Sequence, residues 1–134
     1  MQHSTETMMR TSPRNGTTDA ELSSLARCID ACLECAQTCT SCADACVGEP
    51  MIDALRRCIR LNQDCADICL ATGRVLSRIS RGDAGVATGL VSACAAMCAE
   101  CAAECEKHAK MHEHCRVCAE ACRRCEAACR TLGE

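Results

Sequence analysis

The sequence predicts an all-α protein, an antiparallel up-down bundle of four helices with a cysteine-lined core. Three observations lead there. Cysteines recur at steps of 4 and 3 residues, the spacing that holds side chains on one helix face and turns that face toward helical neighbours. Breaking segments divide the chain into four stretches of similar length. The third observation is compositional: 22 residues are Ala, 18 are Cys, only 19 are Leu, Ile or Val, and there is no Phe, Tyr or Trp. A single domain suits 134 residues, and small side chains, cysteine foremost, must fill its interior.

Residues 1–17 are rich in Ser, Thr, Asn, Gly and Pro and read as a tail, leaving residues 18–134 for the bundle. Thr18-Asp19-Ala20-Glu21 fits a capping box, in which a Thr hydroxyl and a Glu three residues on satisfy amides of a first helical turn. The first helix runs through Cys46 and stops at Val47-Gly48-Glu49-Pro50, where Gly suits a left-handed cap and Pro the start of the next helix. The second runs from Met51 to Ile79, and Ser80-Arg81-Gly82-Asp83 breaks it, with Asp83 as an N-cap for the third. Gly85 and Gly89 each cost roughly 1 kcal/mol of helix propensity against Ala, so the third helix is firm only from about Val91. The last break carries neither Gly nor Pro. It is placed within Lys107–His114 on a phase slip between His112 and Cys118; one long coiled helix would absorb the same slip, but a turn closes four helices with short loops.

The inward register is then explicit. The first helix places Cys28, Cys32, Cys35, Cys39, Cys42 and Cys46 on one seam, about 27 Å long at a rise of about 1.5 Å per residue. The second reads Met51, Leu55, Cys58, Asn62, Cys65, Cys69, Thr72, Leu76 and Ile79. The third gives Ala87, Val91, Cys94, Cys98, Cys101, Cys105 and His108, and the fourth Cys115, Cys118, Cys122, Cys125, Cys129 and Leu132. All 18 cysteines face inward, and charged and polar residues supply most of the opposite faces.

A net charge of -3 without a basic stripe, and the lack of any base-stacking side chain, argue against nucleic acid as a partner. The first residues contain no apolar run of roughly 7 to 15 that would serve for secretion and no twin-arginine signal, and no later run approaches the roughly 20 apolar residues of a membrane span. The expectation is a cytoplasmic protein, with no membrane partner, in a compartment where thiols stay reduced.

Four uses of the thiols compete. A core of small hydrophobes is the plainest, but Ala, Val and Leu fill space without oxidation risk, so 18 cysteines imply use of the sulfur. Disulfides fit the even count but not the compartment, nor the placement of inward cysteines along one helix. Cys28-x3-Cys32-x2-Cys35 and Cys94-x3-Cys98-x2-Cys101 match an iron–sulfur spacing of radical enzymes, yet any 4,3 series of cysteines contains that string. The fourth use is a thiolate metal store. Zn(II) prefers closed tetrahedra from pairs in loops and would number roughly four or five ions. Cu(I) is softer and tolerates low coordination, so bridging thiolates along a tube hold roughly one ion per cysteine.

Eight Cys-x3-Cys pairs carry a resemblance to a known family: Cys28/Cys32, Cys35/Cys39, Cys42/Cys46, Cys65/Cys69, Cys94/Cys98, Cys101/Cys105, Cys118/Cys122 and Cys125/Cys129. Over about residues 18 to 132 the chain resembles the cytosolic members of the bacterial copper storage proteins. The resemblance implies a four-helix bundle loaded with multiple Cu(I) ions for storage or detoxification, usually as a homotetramer. No enzymatic reaction is expected, because an enzyme would need a base, a substrate cleft or a redox cofactor site, and the only polar cluster is the His and Met group at one end. A zinc or general soft-metal buffer, in the manner of a metallothionein, is the alternative.

Cys58 and Cys115 fall outside the pairs, and their surroundings extend the ligand set. Asn62 lies one turn beyond Cys58, and its carbonyl oxygen is a candidate to complete a site; an amide satisfied by a neighbour or water is the alternative. His108 lies at i+3 from Cys105 as a candidate cap for the metal column, with an ordinary exposed helix-end histidine as its alternative. His112 and His114 fall in the expected turn as candidate ligands, where solvated surface is the plainer reading for either alone. His3, Met8 and Met9 read as ordinary tail residues. Chain direction gathers Cys46, Met51, His108, Met111, His112 and His114 at one end and Leu25, Leu76, Ile79, Val91 and Leu132 at the other. Thioether and imidazole are copper ligands and aliphatic groups are not, so copper is expected to pass through the His/Met end.

Overall fold

A computed structural model describes residues 3–13, 18–78 and 84–133 of the chain. These residues form five α-helices: α1 (His3–Thr11), α2 (Asp19–Val47), α3 (Arg56–Ser77), α4 (Ala84–His108) and α5 (Glu113–Gly133). No strand occurs among the described residues. Helices α2 to α5 form the expected bundle as a ring, each packed against its two neighbours: α2 on α3 and α5, and α4 on α3 and α5. Their directions alternate. The end of α2 meets the start of α5 where Cys42 approaches His114, and the start of α3 meets the end of α4 where Cys58 approaches Cys105.

The capping box opens α2 as its sequence requires: Glu21 N–H donates to Thr18 Oγ1 at 3.2 Å and Thr18 N–H to Glu21 Oε2 at 3.2 Å. Gly48 ends α2 in a right-handed conformation, φ -81° and ψ -6°, so the expected left-handed cap is not used; its N–H closes on carbonyls of the last turn. The residues after Pro50 do not start an α-helix at Met51. They form a 3-10 turn, Ile52–Leu55, that leaves Met51 exposed and first points a side chain inward at Leu55. The α4–α5 turn falls where the phase slip put it, with His112 N–H donating to His108 O at 3.0 Å and Cys115 N–H to His112 O at 3.0 Å. Gly85 and Gly89 lie within α4 with open space around both, so neither interrupts it. The second break, with Ile79 and the Asp83 cap, lies outside the described residues.

Within residues 1–17, read as a tail, α1 is a two-turn helix that lies along the first half of α2. Thr5 Oγ1 donates to Asp30 Oδ1 at 2.6 Å, Ser23 Oγ to Glu6 Oε1 at 3.2 Å, and Arg10 joins Glu6 and Asp19. Met9 packs against the core beside the aliphatic end, so it is more than an ordinary tail residue. Gly73 sets how closely α3 approaches α2, because a Cβ there would stand 2.9 Å from Leu33 Cδ2.

One helical stretch, Gly85–His108, is long and apolar enough by composition to cross a membrane, with mean hydropathy 1.6. The sequence reading took no segment to approach that limit; Ala and Cys raise the value here. In the bundle this stretch turns Cys94, Cys98, Cys101 and Cys105 to the interior, all 0% exposed, and Ser92 and Glu100 outward. Its apolar face is therefore a core face. Arg124 ties α5 to Glu34 of α2 at 2.8 Å and Arg123 ties it to Glu106 of α4 at 2.9 Å, exposed pairs worth roughly 0 to 1 kcal/mol each.

Candidate metal centre

All 18 cysteines are free thiols and all are buried. The heptad seams of four helices converge on one axis, so sulfurs from different helices lie in mutual contact along it. At the aliphatic end Cys28 and Cys129 are 3.7 Å apart, and Cys32 lies 3.8 Å from Cys125 and 4.0 Å from Cys94. Cys69 links the next level, 3.7 Å from Cys94, 3.5 Å from Cys98 and 3.8 Å from Cys65. Cys35 lies 3.9 Å from Cys65 and 3.7 Å from Cys122, and Cys39 lies 3.6 Å from Cys122 and 3.7 Å from Cys118. One ion with metal–sulfur bonds of roughly 2.3 Å bridges such gaps.

These sulfurs form quartets that share members. Cys35, Cys65, Cys69 and Cys98 make one; Cys35, Cys39, Cys65 and Cys122 the next; Cys39, Cys101, Cys118 and Cys122 a third. Isolated tetrahedral sites need four ligands each to themselves, whereas shared sulfurs suit bridging. A surface groove of about 790 Å³ outside the bundle, lined by Arg27, Leu33, Arg124 and Ala128 among others, contains no thiol and is not this centre.

Asn62 sits inside the column and is fully buried. Its Oδ1 accepts from Cys101 at 3.0 Å, Cys118 at 3.2 Å and Cys105 at 3.5 Å, while Nδ2 donates to Cys58 Sγ at 3.7 Å. The amide is thus satisfied by thiols, and the same atoms could contact ions held there.

Beyond Asn62 the column continues through Cys58 and Cys105, 3.6 Å apart, to a mixed site of Cys42, Cys46, Cys115 and His114. His114 Nδ1 lies 3.4 Å from Cys42 Sγ and 3.6 Å from Cys115 Sγ. The three histidines expected at this end differ in placement. His114 reaches the thiols. His112 is 7% exposed rather than solvated; its Nδ1 lies 3.1 Å from Glu49 Oε2 and its Nε2 has no hydrogen-bond partner among the described residues. His108 directs Nε2 to Glu104 Oε2 at 3.1 Å, in a cluster with Arg57 and Lys107 around that buried carboxylate. This contact holds the imidazole of His108 at the rim through Nε2 and leaves Nδ1 as the nitrogen not engaged by the carboxylate. Met111 is 67% exposed and Met51 41%, so both thioethers stand outside the mouth.

Sequence reasoning missed Glu49 and Glu104. Glu104 was signalled by its i,i+4 spacing to His108. Glu49 lies in a loop, where no periodicity points to it.

Thiol–thiol hydrogen bonds spread the acidities of the core. Bonds from Cys129 and then Cys32 hold Cys28 down to about 4, and bonds from Cys105 and then Cys42 hold Cys58 down to about 3. Cys35, Cys94 and Cys118 are also held down, foremost by Cys122, Cys125 and Cys101 respectively. Burial pushes Cys46 up to about 11, and donation toward Cys101 pushes up Cys39. Each ion bound by a thiolate displaces a proton, so uptake strengthens as pH rises.

A four-helix bundle with a continuous buried column of thiols, ending in an imidazole, defines a soft-metal protein of high capacity. Residues 21–134 match the family of the copper storage protein, and the chain belongs to that family. It is similar to the copper storage protein Ccsp from Streptomyces lividans loaded with 10 copper equivalents, at 53% identity and a TM-score of 0.91 over 96% of this chain and 97% of that one. A five-copper form of the cytosolic Streptomyces lividans protein gives 55% identity and 0.84 over 87% and 97%. The Cu(I)-bound copper storage protein BsCsp3 gives 36% identity and 0.72 over 80% and 95%. No curated protein sequence matches the chain.

Proposed function

We propose that this protein stores Cu(I) in the cytosol, binding multiple ions along the bundle axis through the 18 cysteines, with Asn62 and His114 as additional ligands and no catalysed reaction. The overlapping thiol quartets carry this reading. Charge supports it too. Eighteen buried thiolates are neutralised by about eighteen Cu(I) ions, whereas roughly four or five tetrahedral Zn(II) ions would leave about eight to ten negative charges in the core, a large desolvation cost. The copper-loaded relatives at 53% and 36% identity support copper over zinc, and the cytosolic Streptomyces lividans protein supports the compartment. The homotetramer implied by the family resemblance is part of the same proposal.

Copper passes through the His/Met end. The opposite end carries Leu25, Leu76 and Val91, all buried, and Leu132 and Met9 are partly buried against the core. Replacing His108, Met111, His112 and His114 together by Ala is expected to slow Cu(I) uptake from a chelator about tenfold or more while preserving most of the final capacity. Stopped-flow spectroscopy with a chromophoric Cu(I) chelator measures both. Unchanged rates, or slowing produced only by changes at Leu76 and Leu132, would reverse the direction.

A further inference from the structure

We propose that Glu49 is a positioning residue for the copper path, one carboxylate oxygen that fixes both mouth imidazoles in the tautomers that leave a ligand nitrogen free; the proposal rests on the storage reading above. Glu49 Oε2 lies 2.9 Å from His114 Nε2 and 3.1 Å from His112 Nδ1. Glu49 belongs to the loop after α2, His112 to the α4–α5 turn and His114 to the first turn of α5, so one side chain ties the two loops across the mouth. The rings stack, with centroids 5.5 Å apart and 25° between planes.

The hydrogen-bond logic is directional. An ionised carboxylate only accepts, so the His114 Nε2–H donates to Glu49 Oε2 at 2.9 Å, and His112 Nδ1 faces the same oxygen at 3.1 Å. A neutral imidazole that donates from one nitrogen carries a lone pair on the other. His114 is thereby fixed with Nε2–H on Glu49 and Nδ1 facing Cys42 and Cys115. His112 is turned the opposite way, with Nδ1 toward the same Glu49 oxygen at 3.1 Å, so a proton held there by the carboxylate leaves the lone pair on Nε2. That is the buried Nε2 with no partner, which an incoming soft cation would satisfy. Carboxylate–histidine–metal arrangements work in this manner, the outer acid setting ring orientation and tautomer.

Long-range 1H–15N NMR of the reduced, metal-free full-length protein reads the tautomers directly. Wild type is expected to show His114 as the Nε2–H form and His112 as the Nδ1–H form. Glu49→Ala is expected to convert His112 largely to the other tautomer, mix the forms of His114, and slow Cu(I) uptake from a chelator roughly 10- to 100-fold with an unchanged far-UV circular dichroism spectrum. Glu49→Gln retains a carbonyl oxygen that accepts both N–H groups, and should restore the wild-type tautomers and most of the rate. Wild-type tautomers persisting in Glu49→Ala, or a Glu49→Gln rate as slow as that of Glu49→Ala despite restored tautomers, would overturn the proposal. Tautomers that shift as stated in a protein whose wild type takes up no Cu(I) would instead overturn the storage reading.

Discussion

Loading with Cu(I) is expected to raise the thermal midpoint of this protein by roughly tens of degrees, because the metal-free core is lightly built and each ion joins helices. Among the described residues, only Ile29, Leu55 and Leu76 are large aliphatic side chains less than 2% exposed. The remaining interior is mostly Cys and Ala, which remove less apolar surface from water than Leu or Phe would. Each shared quartet spans several helices: Cys35, Cys65, Cys69 and Cys98 come from α2, α3 and α4, and Cys39, Cys101, Cys118 and Cys122 from α2, α4 and α5. A ligand held at 1,000 times its dissociation constant adds about 4 kcal/mol per site, so a few ions suffice for the shift. The metal-free chain should nevertheless be helical, since the capping box and the seams act without metal. Far-UV circular dichroism followed through a thermal ramp, with and without Cu(I) under anaerobic conditions, checks both halves. A metal-free chain lacking helix, or equal midpoints, would contradict the account.

The second large effect concerns the middle of the column. Cys35→Ala with Cys39→Ala is expected to lower the capacity by roughly two ions and leave the rest filled, because bridging sites scale with thiolates. The pair sits where the quartets overlap, Cys35 within 3.9 Å of Cys65 and Cys39 within 3.7 Å of Cys118. Metal analysis after gel filtration gives the number directly. Loss of all bound copper would point to a single cooperative cluster, and no loss would remove these two thiols from the ligand set.

Much of this architecture is legible in the residues themselves. The 4,3 repeat placed every cysteine on the axis, and the same register put Asn62, Thr72 and Leu76 inside, where all three are buried. A periodic signal of that length survives any small error in element ends. The parts that were not legible are local or non-periodic. Helix α1 is short and polar, and it is held by side-chain bonds to α2, such as Thr5 to Asp30, that join residues 25 apart in sequence. Met51 was read inward because the period was extended through a 3-10 turn that rotates it out. The histidines were found by type, but their roles depend on two carboxylates: Glu104 holds His108 at the rim, and Glu49 orients His112 and His114. The Glu49 pairings join two loops and follow from the three-dimensional closure of the bundle, so no spacing in the chain encodes them, whereas the i,i+4 spacing of Glu104 and His108 was there to be read.

Anaerobic titration of the fully reduced protein with Cu(I), with bound metal and thiols counted after gel filtration, tests the central claim most directly. A column of shared thiolates predicts retention of many Cu(I) ions, approaching roughly one per cysteine, and their persistence against a moderate excess of Zn(II). A plateau near four or five ions, or displacement of Cu(I) by Zn(II), would contradict it.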